Sequence, residues 1–367
     1  MPEYAIGAAS VAVSWSAYLT ALMQGFGIEL PIDLTASPWQ SVQLRDGSLH
    51  YGIINLPAFF IVFIVSALLM IGIKQTSRVN SIIVAIKIFV ALLFIAIGAF
   101  YVQPENYHPF LPPNTGAFGE FGISGVLRAA GTLFFAYVGF DSVSTAAQET
   151  KNPQKNIPIG ILTALAISTG IYILFGTVLT GLVNYKELDV AAPVALALSK
   201  TPYAWLGSLV KLAVLAGFTS VILVMLLGQS RIFYAMARDG LLPTSLATIH
   251  PKWHTPYISS FILMVFVGLI SAFAPLELLS HMTSIGTLLA FVTVCFCVLR
   301  LRKLKPEASR PFKVPFSPLF PILGIAFSLI LIASLGLDNW IRLFVWLFLG
   351  LAIYFWQKRR SVARNTK

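Results

Sequence analysis

The chain has 367 residues, of which 57% are hydrophobic and only 11% are charged, and its formal net charge is +11. So few polar residues cannot cover the surface of a water-soluble protein of this size, and the composition therefore excludes an ordinary soluble enzyme. Apolar stretches of about 20 residues recur along the whole length, and each can cross a hydrocarbon core about 30 Å thick. The sequence predicts an integral membrane protein.

Ten apolar stretches are predicted to be membrane-spanning helices. None shows the alternating pattern of a barrel strand, and a backbone in lipid must satisfy its own hydrogen bonds. The expected fold class is all-α, a polytopic membrane helix bundle. The first stretch lacks the basic start of a secretory signal and carries Glu3, so it is kept as a span. The predicted spans are 5–25, 53–73, 79–102, 123–147, 157–182, 205–234, 256–273, 280–299, 317–336 and 339–357.

Basic residues are distributed unevenly between alternate loops, which indicates the topology. Most of the 25 Lys and Arg residues fall in the tail and in the loops of one side, and the opposite loops hold few. The positive-inside rule therefore places the C-terminus and the start of the first span in the cytoplasm, and we expect a multi-pass protein of the cell (plasma) membrane. No compact basic module is present, so no nucleic acid partner is predicted. The few opposite residues are Arg45, Lys186, Lys200 and Arg342.

Cysteine and histidine positions give no sign of a metal site. Cys295 and Cys297 are two apart in the eighth span and point to different faces of a helix, so we predict small core residues rather than a metal clip or disulfide. The five histidines lie at loops or span edges, without a pair at ligand spacing. No catalytic motif is found either, and neither an enzyme nor a cofactor is predicted.

The fourth span contains two residues that favour the interruption of a helix: Gly139 lies near mid-membrane depth, and Asp141 follows it. Glycine weakens a helix by about 1 kcal/mol relative to alanine, and an acid at this depth costs a few kcal/mol unless it is solvated or paired. Unwinding here would free backbone groups that can bind a zwitterion or an ion. Alternatively, Gly139 only permits close helix packing and Asp141 bonds to a neighbouring span.

Three cations lie within or beside apolar runs. Lys87 is about 12 Å from the cytoplasmic end of the third span, given a rise of 1.5 Å per residue. It either snorkels toward the cytoplasm or faces the bundle interior and carries a proton, and the residues alone leave both readings open. Arg128 and Lys211 lie close to the outer boundary, where snorkelling accounts for them.

In the sixth span, the stretch 231–243 predicts an amphipathic helix end with a glycine stop at Gly240.

Three separated regions resemble the amino acid-polyamine-organocation (APC) superfamily, and within it the cationic amino acid transporter family. The first region consists of residues 134–141, 148–153 and 157–160 and resembles the family's broken-helix region. Residues 228–243 are similar to its eighth-helix end and following loop, and residues 72–87 to its fourth-to-fifth helix turn. The segments occur in the family's order, and the similarity extends over essentially the whole chain.

The resemblance implies a partial five-plus-five inverted-repeat transporter fold in a single transmembrane domain, residues 1–367. The ten spans correspond to the family's third through twelfth helices, so the first two, including a glycine-rich break that binds substrate, have no counterpart after Met1. The implied activity is secondary active transport of an amino acid, coupled to a proton, by alternating access. The alternative is an inactive truncated or partner-dependent membrane protein without transport activity of its own. The oligomeric state is left open.

The resemblance also assigns roles to individual residues. Lys87 matches the family's fifth-helix lysine, whose ammonium takes the place of a sodium ion found in sodium-coupled relatives, and this favours a role in proton coupling. Thr219 and Ser220 are expected to face that lysine. The residues expected to line the unwound helix and contact the amino acid are Phe135, Ala136, Val138 and Gly139. The positions matching the inner gate and its loop, expected to be structural, are Arg231, Asp239 and Gly240.

Overall fold

The computed structural model of the chain describes residues 3–43, 49–72, 76–140, 143–144, 150–188, 190, 193–203, 205–310 and 312–365. It consists almost entirely of helices. They are α1 Glu3–Gly25, α2 Ile32–Thr35, α3 Leu56–Ile71, α4 Thr76–Gly98, α5 Gly122–Leu133, α6 Pro153–Leu182, α7 Pro193–Ser199, α8 Leu206–Arg238, α9 Tyr257–Phe273, α10 Leu276–Leu304, α11 Leu319–Ser334 and α12 Leu337–Asn365. The strands β1 Ser41–Gln43 and β2 Leu49–Tyr51 pair antiparallel, with Ser41 opposite Tyr51.

Each predicted span contains a helix at the expected place, which confirms the all-α bundle. In the described part of the chain, six helices are long and apolar enough to cross a membrane, and α3, α9 and α11 are shorter apolar helices of 16 or 17 residues. The fourth span differs from the other nine, because its regular helix α5 has only 12 residues and covers only part of the span. That exception locates the candidate functional site.

The helices α1 and α8 lie at the centre of the bundle and pack along each other. The buried face of α1 is made largely of small residues, including Ala5, Ala8 and Ala12. Small side chains let two backbones approach closely, which is how helices associate where lipid is as apolar as the protein. Gly7 makes this closeness concrete, because an added Cβ would lie 3.2 Å from Sδ of Met225 in α8.

Two further groups of helices flank this centre. On one side α4, α6 and α7 pack with α8 around a buried apolar cluster that includes Phe94 and Val178. On the other side α10 packs with α5, α11 and α12. Gly131 of α5 lies against α11, where an added Cβ would lie 2.9 Å from Oγ of Ser334. The interruption in the fourth span therefore follows directly on a tightly packed helix.

The periphery of the bundle is apolar, as expected of a surface that faces lipid. Phe89, Ile173, Phe327 and Phe348 are each more than half exposed. Cys297 is also exposed, so the prediction of a core residue is wrong at this position, while Cys295 is half-buried beside Gly324. Two residues that are two positions apart lie on nearly opposite faces of a helix, so Cys295 points inward and Cys297 points outward.

The predicted glycine stop after the sixth span is confirmed. Helix α8 ends at Arg238, and Gly240 has φ +75°. The amide of Leu241 donates to the carbonyl of Met236 at 2.9 Å, which closes the helix end in the manner of a glycine C-cap.

Candidate functional site

The fourth span unwinds where the sequence predicts. After Leu133 the backbone forms a 3-10 turn, Phe134–Tyr137, and Val138 is extended. Gly139 follows with φ +114°, a conformation that residues with a side chain rarely adopt. Among the described residues, no atom lies within 4 Å of the position that a Cβ on Gly139 would take. Asp141, Gln148 and Glu149, which belong to the predicted motif, lie outside the described residues.

Aromatic rings hold the unwound segment on two sides. Phe134 and Phe140 both contact Phe291 of α10, with ring centroids 5.7 Å and 5.4 Å apart. Tyr137 packs edge-on against Tyr172 of α6 at 5.4 Å. The interruption is thus a defined turn fixed by two neighbouring helices, and such turns expose backbone groups at a constant position.

The Tyr172 hydroxyl also fastens the backbone of this turn. It donates to the carbonyl of Ala136 at 3.1 Å. The last carbonyls of a helix have no intrahelical partner, and a side-chain donor from α6 satisfies one of them here.

The four residues predicted to contact a ligand form one continuous stretch of this turn. Phe135 and Val138 are half-buried against the central apolar cluster of α1, α3, α8 and α9. Ala136 is exposed, and Gly139 borders open space. Polar backbone therefore lies beside apolar side chains, an arrangement suited to a zwitterion with an apolar substituent. Binding by these residues stays a prediction.

Lys87 lies at the middle of α4 and is half-buried. Its aliphatic stem runs over Gly217 of α8, where an added Cβ would lie 2.5 Å from Cδ of the lysine. No hydrogen-bond or ion-pair partner of its ammonium is found in the described part of the chain. A cation at this depth without a fixed partner is costly unless water, a ligand or a proton change relieves it.

The two hydroxyls expected beside Lys87 point to different faces of α8. Thr219 accepts a hydrogen bond from the Trp15 indole of α1 at 3.1 Å and donates to the carbonyl of Leu215 at 2.8 Å. Ser220 is buried and lies one turn from Gly217, so it shares the face that Lys87 covers. Thr219 lies two residues from Gly217, on the opposite face. The contact between Trp15 and Thr219 joins residues 204 apart in sequence, and nothing local in the sequence indicates it.

Lys211 has a defined partner. Its ammonium donates to the carbonyl of Ala21 at 2.7 Å, near the C-terminal end of α1, where a positive charge stabilises the helix. Snorkelling alone is therefore not an adequate account of this residue.

The structure groups no three His, Cys, Asp or Glu side chains that could hold a metal ion, as far as its described residues extend.

Comparison with known proteins gives a consistent result. The family profile described as amino acid permease matches residues 1–357. The chain is 42% identical to the branched-chain amino acid permease BcaP of Bacillus subtilis (strain 168), over 99% of this chain and 75% of that protein. It is 39% identical to the methylthioribose transporter of the same organism, over 100% of this chain and 76% of that protein.

Similarity also reaches eukaryotic transporters. The chain is 35% identical to cationic amino acid transporter 4 of Mus musculus, over 84% of this chain and 47% of that protein. The APC resemblance is therefore confirmed. The reported bacterial relatives are more similar to this chain than the reported member of the cationic group is.

Proposed function

The chain belongs to the amino acid permease family, and we propose that it is a secondary active transporter that moves an amino acid together with a proton by alternating access. The observation that carries this proposal is the fixed interruption at Phe134–Gly139, in the middle of an otherwise apolar span. A regular helix keeps its backbone groups within its own hydrogen bonds, whereas the backbone of this turn bonds outside the helical pattern, as the bond from Tyr172 to the Ala136 carbonyl shows.

The proposed substrate contacts are Phe135, Ala136, Val138 and Gly139. No atom of the described residues lies within 4 Å of an added Cβ on Gly139, so a ligand could approach the backbone there and a side chain at this position would obstruct it. Phe135 and Val138 would contact the substituent of the amino acid, because they form the apolar border of the turn. These contacts favour an aliphatic substituent over a charged one.

The proposed coupling residue is Lys87 of α4. Ser220 lies on the face of α8 that Lys87 covers, whereas Thr219 is hydrogen-bonded to Trp15 of α1. When protonated, the ammonium can bind polar groups at the α4–α8 contact. The neutral amine of Lys87 would bind these polar groups more weakly, so the protonated and neutral states of Lys87 favour different packing of α4 and α8. The turn of α8 at residues 217–221 links both proposed sites. Gly217 contacts the stem of Lys87, while Phe218 and Val221 pack against the same central apolar cluster as Phe135 and Val138.

The substrate that we propose first is a branched-chain amino acid, in line with the name of the 42% identical relative. The name of the 39% identical relative gives methylthioribose as the second candidate. We further propose a single transporter unit, residues 1–367, in the plasma membrane with the C-terminus in the cytoplasm, because the basic residues concentrate in the tail and alternate loops.

Uptake into proteoliposomes tests the proposal. Purified chain is reconstituted, and uptake of labelled L-leucine and labelled methylthioribose is measured with and without an inward proton gradient. We expect L-leucine uptake that the gradient stimulates. Methylthioribose uptake alone would identify the second substrate, and uptake insensitive to the gradient would overturn proton coupling. No uptake of either compound by well-inserted protein would instead favour an inactive or partner-dependent membrane protein.

A further inference from the structure

A second polar site lies at the end of the bundle opposite the basic loops. It is a cavity of about 880 Å³ where the end of α9, the start of α10, and the turn from α11 to α12 meet Arg128 of α5. Four charged side chains line it, two of each sign: Arg128, Arg342, Glu277 and Asp338. We refer to it as the α5–α12 cavity. None of the ligand residues proposed above lines it.

The four charges do not neutralise one another. In the part of the chain that the structure describes, none of them forms an ion pair. Arg128 and Arg342 are half-buried, while Glu277 and Asp338 are exposed. Opposite charges that share a cavity without pairing can each accept a counter-charge from a ligand.

The wall that carries the arginines is held by a buried hydrogen-bond network. Arg342 donates to the side-chain carbonyl of Asn339 at 2.8 Å, and the amide of Asn339 donates to the carbonyl of Leu335 at 2.7 Å. The same amide lies 3.4 Å from Nδ1 of His281, a residue that is only 7% exposed. The arginine end of the network is therefore fixed to both α10 and α12.

The network continues to the broken helix. Nε2 of His281 lies 3.3 Å from Oγ1 of Thr132, which itself donates to the carbonyl of Arg128 at 3.0 Å. Because the hydroxyl proton of Thr132 is used, Nε2 of the histidine is the donor to it and Nδ1 accepts from Asn339, which is the neutral ring. A wall whose rotamers are locked in this way is organised before a ligand arrives.

We propose that the α5–α12 cavity binds a zwitterionic α-amino acid at a site separate from the turn at residues 135–139. The carboxylate would bind Arg128 and Arg342, and the ammonium would bind Glu277 or Asp338. The apolar lining, which includes Leu269, Phe273 and Leu278, takes the aliphatic substituent. Two charges of each sign select a neutral zwitterion over an ion with net charge. This inference rests on the proposed function, because its ligand is the class of compound proposed for transport.

The two sites are connected through α5. Arg128 precedes Phe135 by seven residues, which is about 10 Å along a helix at 1.5 Å per residue. A carboxylate bound by Arg128 therefore acts on the same short helix whose C-terminal end becomes the 3-10 turn.

The number of L-leucine molecules bound per chain tests this proposal. The full chain is placed in lipid nanodiscs, and binding of labelled L-leucine is measured at equilibrium for the unmodified chain, Arg128→Gln and Gly139→Leu. We expect two sites in the unmodified chain. Arg128→Gln should weaken one of them by roughly tenfold, the loss typical of a charge-assisted hydrogen bond, and Gly139→Leu should remove the other.

Two analogues and two further variants complete the test. L-Leucinol lacks the carboxylate and 4-methylpentanoate lacks the ammonium, so neither should displace L-leucine from the cavity site. Arg300→Gln, an exposed cation at the far end of α10, is the matched control and should bind as the unmodified chain does. If Arg128→Gln is not monodisperse, the exposed Glu277→Gln provides the same comparison.

The outcomes separate this inference from the proposed function. A single site that is lost in Gly139→Leu and unchanged in Arg128→Gln, with uptake intact, would overturn the cavity site alone. Displacement by either analogue as effective as by L-leucine would overturn zwitterion recognition. Absence of both binding and uptake would overturn the proposed function together with this inference.

Discussion

Helices α5 and α8 both carry glycines inside apolar runs, yet they differ in continuity. Helix α8 extends unbroken over 33 residues and contains Gly207, Gly217 and Gly228. Helix α5 ends after 12 residues, and the chain reaches Gly139 through a 3-10 turn. One glycine costs a helix about 1 kcal/mol, which is too little to break it. The difference therefore comes from what surrounds each glycine.

In α8 the absent side chain creates room for a neighbour. Gly217 has helical backbone angles, and the stem of Lys87 fills the space next to it. In the fourth span the absent side chain permits a backbone angle, because Gly139 has φ +114°, which a residue with a Cβ rarely adopts. The rings of Phe134 and Phe140 then fix that conformation against Phe291. The same residue type thus serves close approach in one helix and unwinding in the other.

The largest effect is expected for Gly139→Leu. The positive φ strains any side chain by about 1–3 kcal/mol, and the leucine also fills the open space proposed for the ligand. We expect loss of L-leucine binding at the unwound turn, measured by equilibrium binding, with normal insertion into the membrane. Gly160→Leu is the matched control, since Gly160 also borders open space but lies inside regular α6. Retained affinity in Gly139→Leu would show that the ligand does not use this turn.

Lys87→Ala tests the role in proton coupling that is proposed for the contact of Lys87 with Gly217 of α8. Removing the ammonium removes the group that is proposed to take up and release the proton, so uptake should lose its dependence on pH while the chain still binds substrate. Uptake rates at a series of external pH values measure this. Lys211→Ala is the comparison, because that lysine caps the end of α1 and has no proposed part in coupling. An unchanged pH profile in Lys87→Ala would leave snorkelling as the account of Lys87.

A smaller effect of the same kind is expected for Gly217→Ala. Its Cβ would lie 2.5 Å from Cδ and 3.2 Å from Cγ of Lys87, so the lysine must change rotamer. Such a shift costs about 0.5–1.5 kcal/mol, which corresponds to roughly a two- to tenfold fall in proton-stimulated uptake. Gly207→Ala on the same helix is the control, because its Cβ would come no nearer than 4.0 Å to Ala195. Equal behaviour of the two variants would mean that the position of Lys87 does not limit coupling.

The sequence is sufficient for some of these features and not for others. Spans follow from hydropathy at the thickness of a bilayer. Gly139 and Asp141 at mid-depth indicate where a helix can unwind, but the residues alone leave close helix packing as the alternative. The contact of Trp15 with Thr219 joins helices distant in sequence, and so does the bond from Lys211 to Ala21. Such contacts depend on how helices rotate and cross, which no local pattern specifies.

The α5–α12 cavity cannot be predicted from the sequence for a related reason. From the sequence, Arg128 is a cation close to the outer boundary, Arg342 is one of the few basic residues of the opposite loops, and His281 lies at the edge of a predicted span. The structure extends α10 back to Leu276, which puts His281 inside the helix and buries it. Only the meeting of five segments turns these scattered residues into one lined cavity. The segments are far apart in sequence, so their charges do not appear as a motif.

The smallest effect is expected for Tyr172→Phe, which tests how firmly the unwound turn is held from α6. The change removes the hydrogen bond to the Ala136 carbonyl and keeps the ring contact with Tyr137. One such bond contributes about 0.5–1.5 kcal/mol, and its partial exposure favours the lower value, so L-leucine affinity should fall by a few fold. Tyr354→Phe is the control, because its hydroxyl has no partner among the described residues. If the two variants bind equally well, the rings on Phe291 suffice to fix the turn, and the difference between α5 and α8 rests on packing rather than on this hydrogen bond.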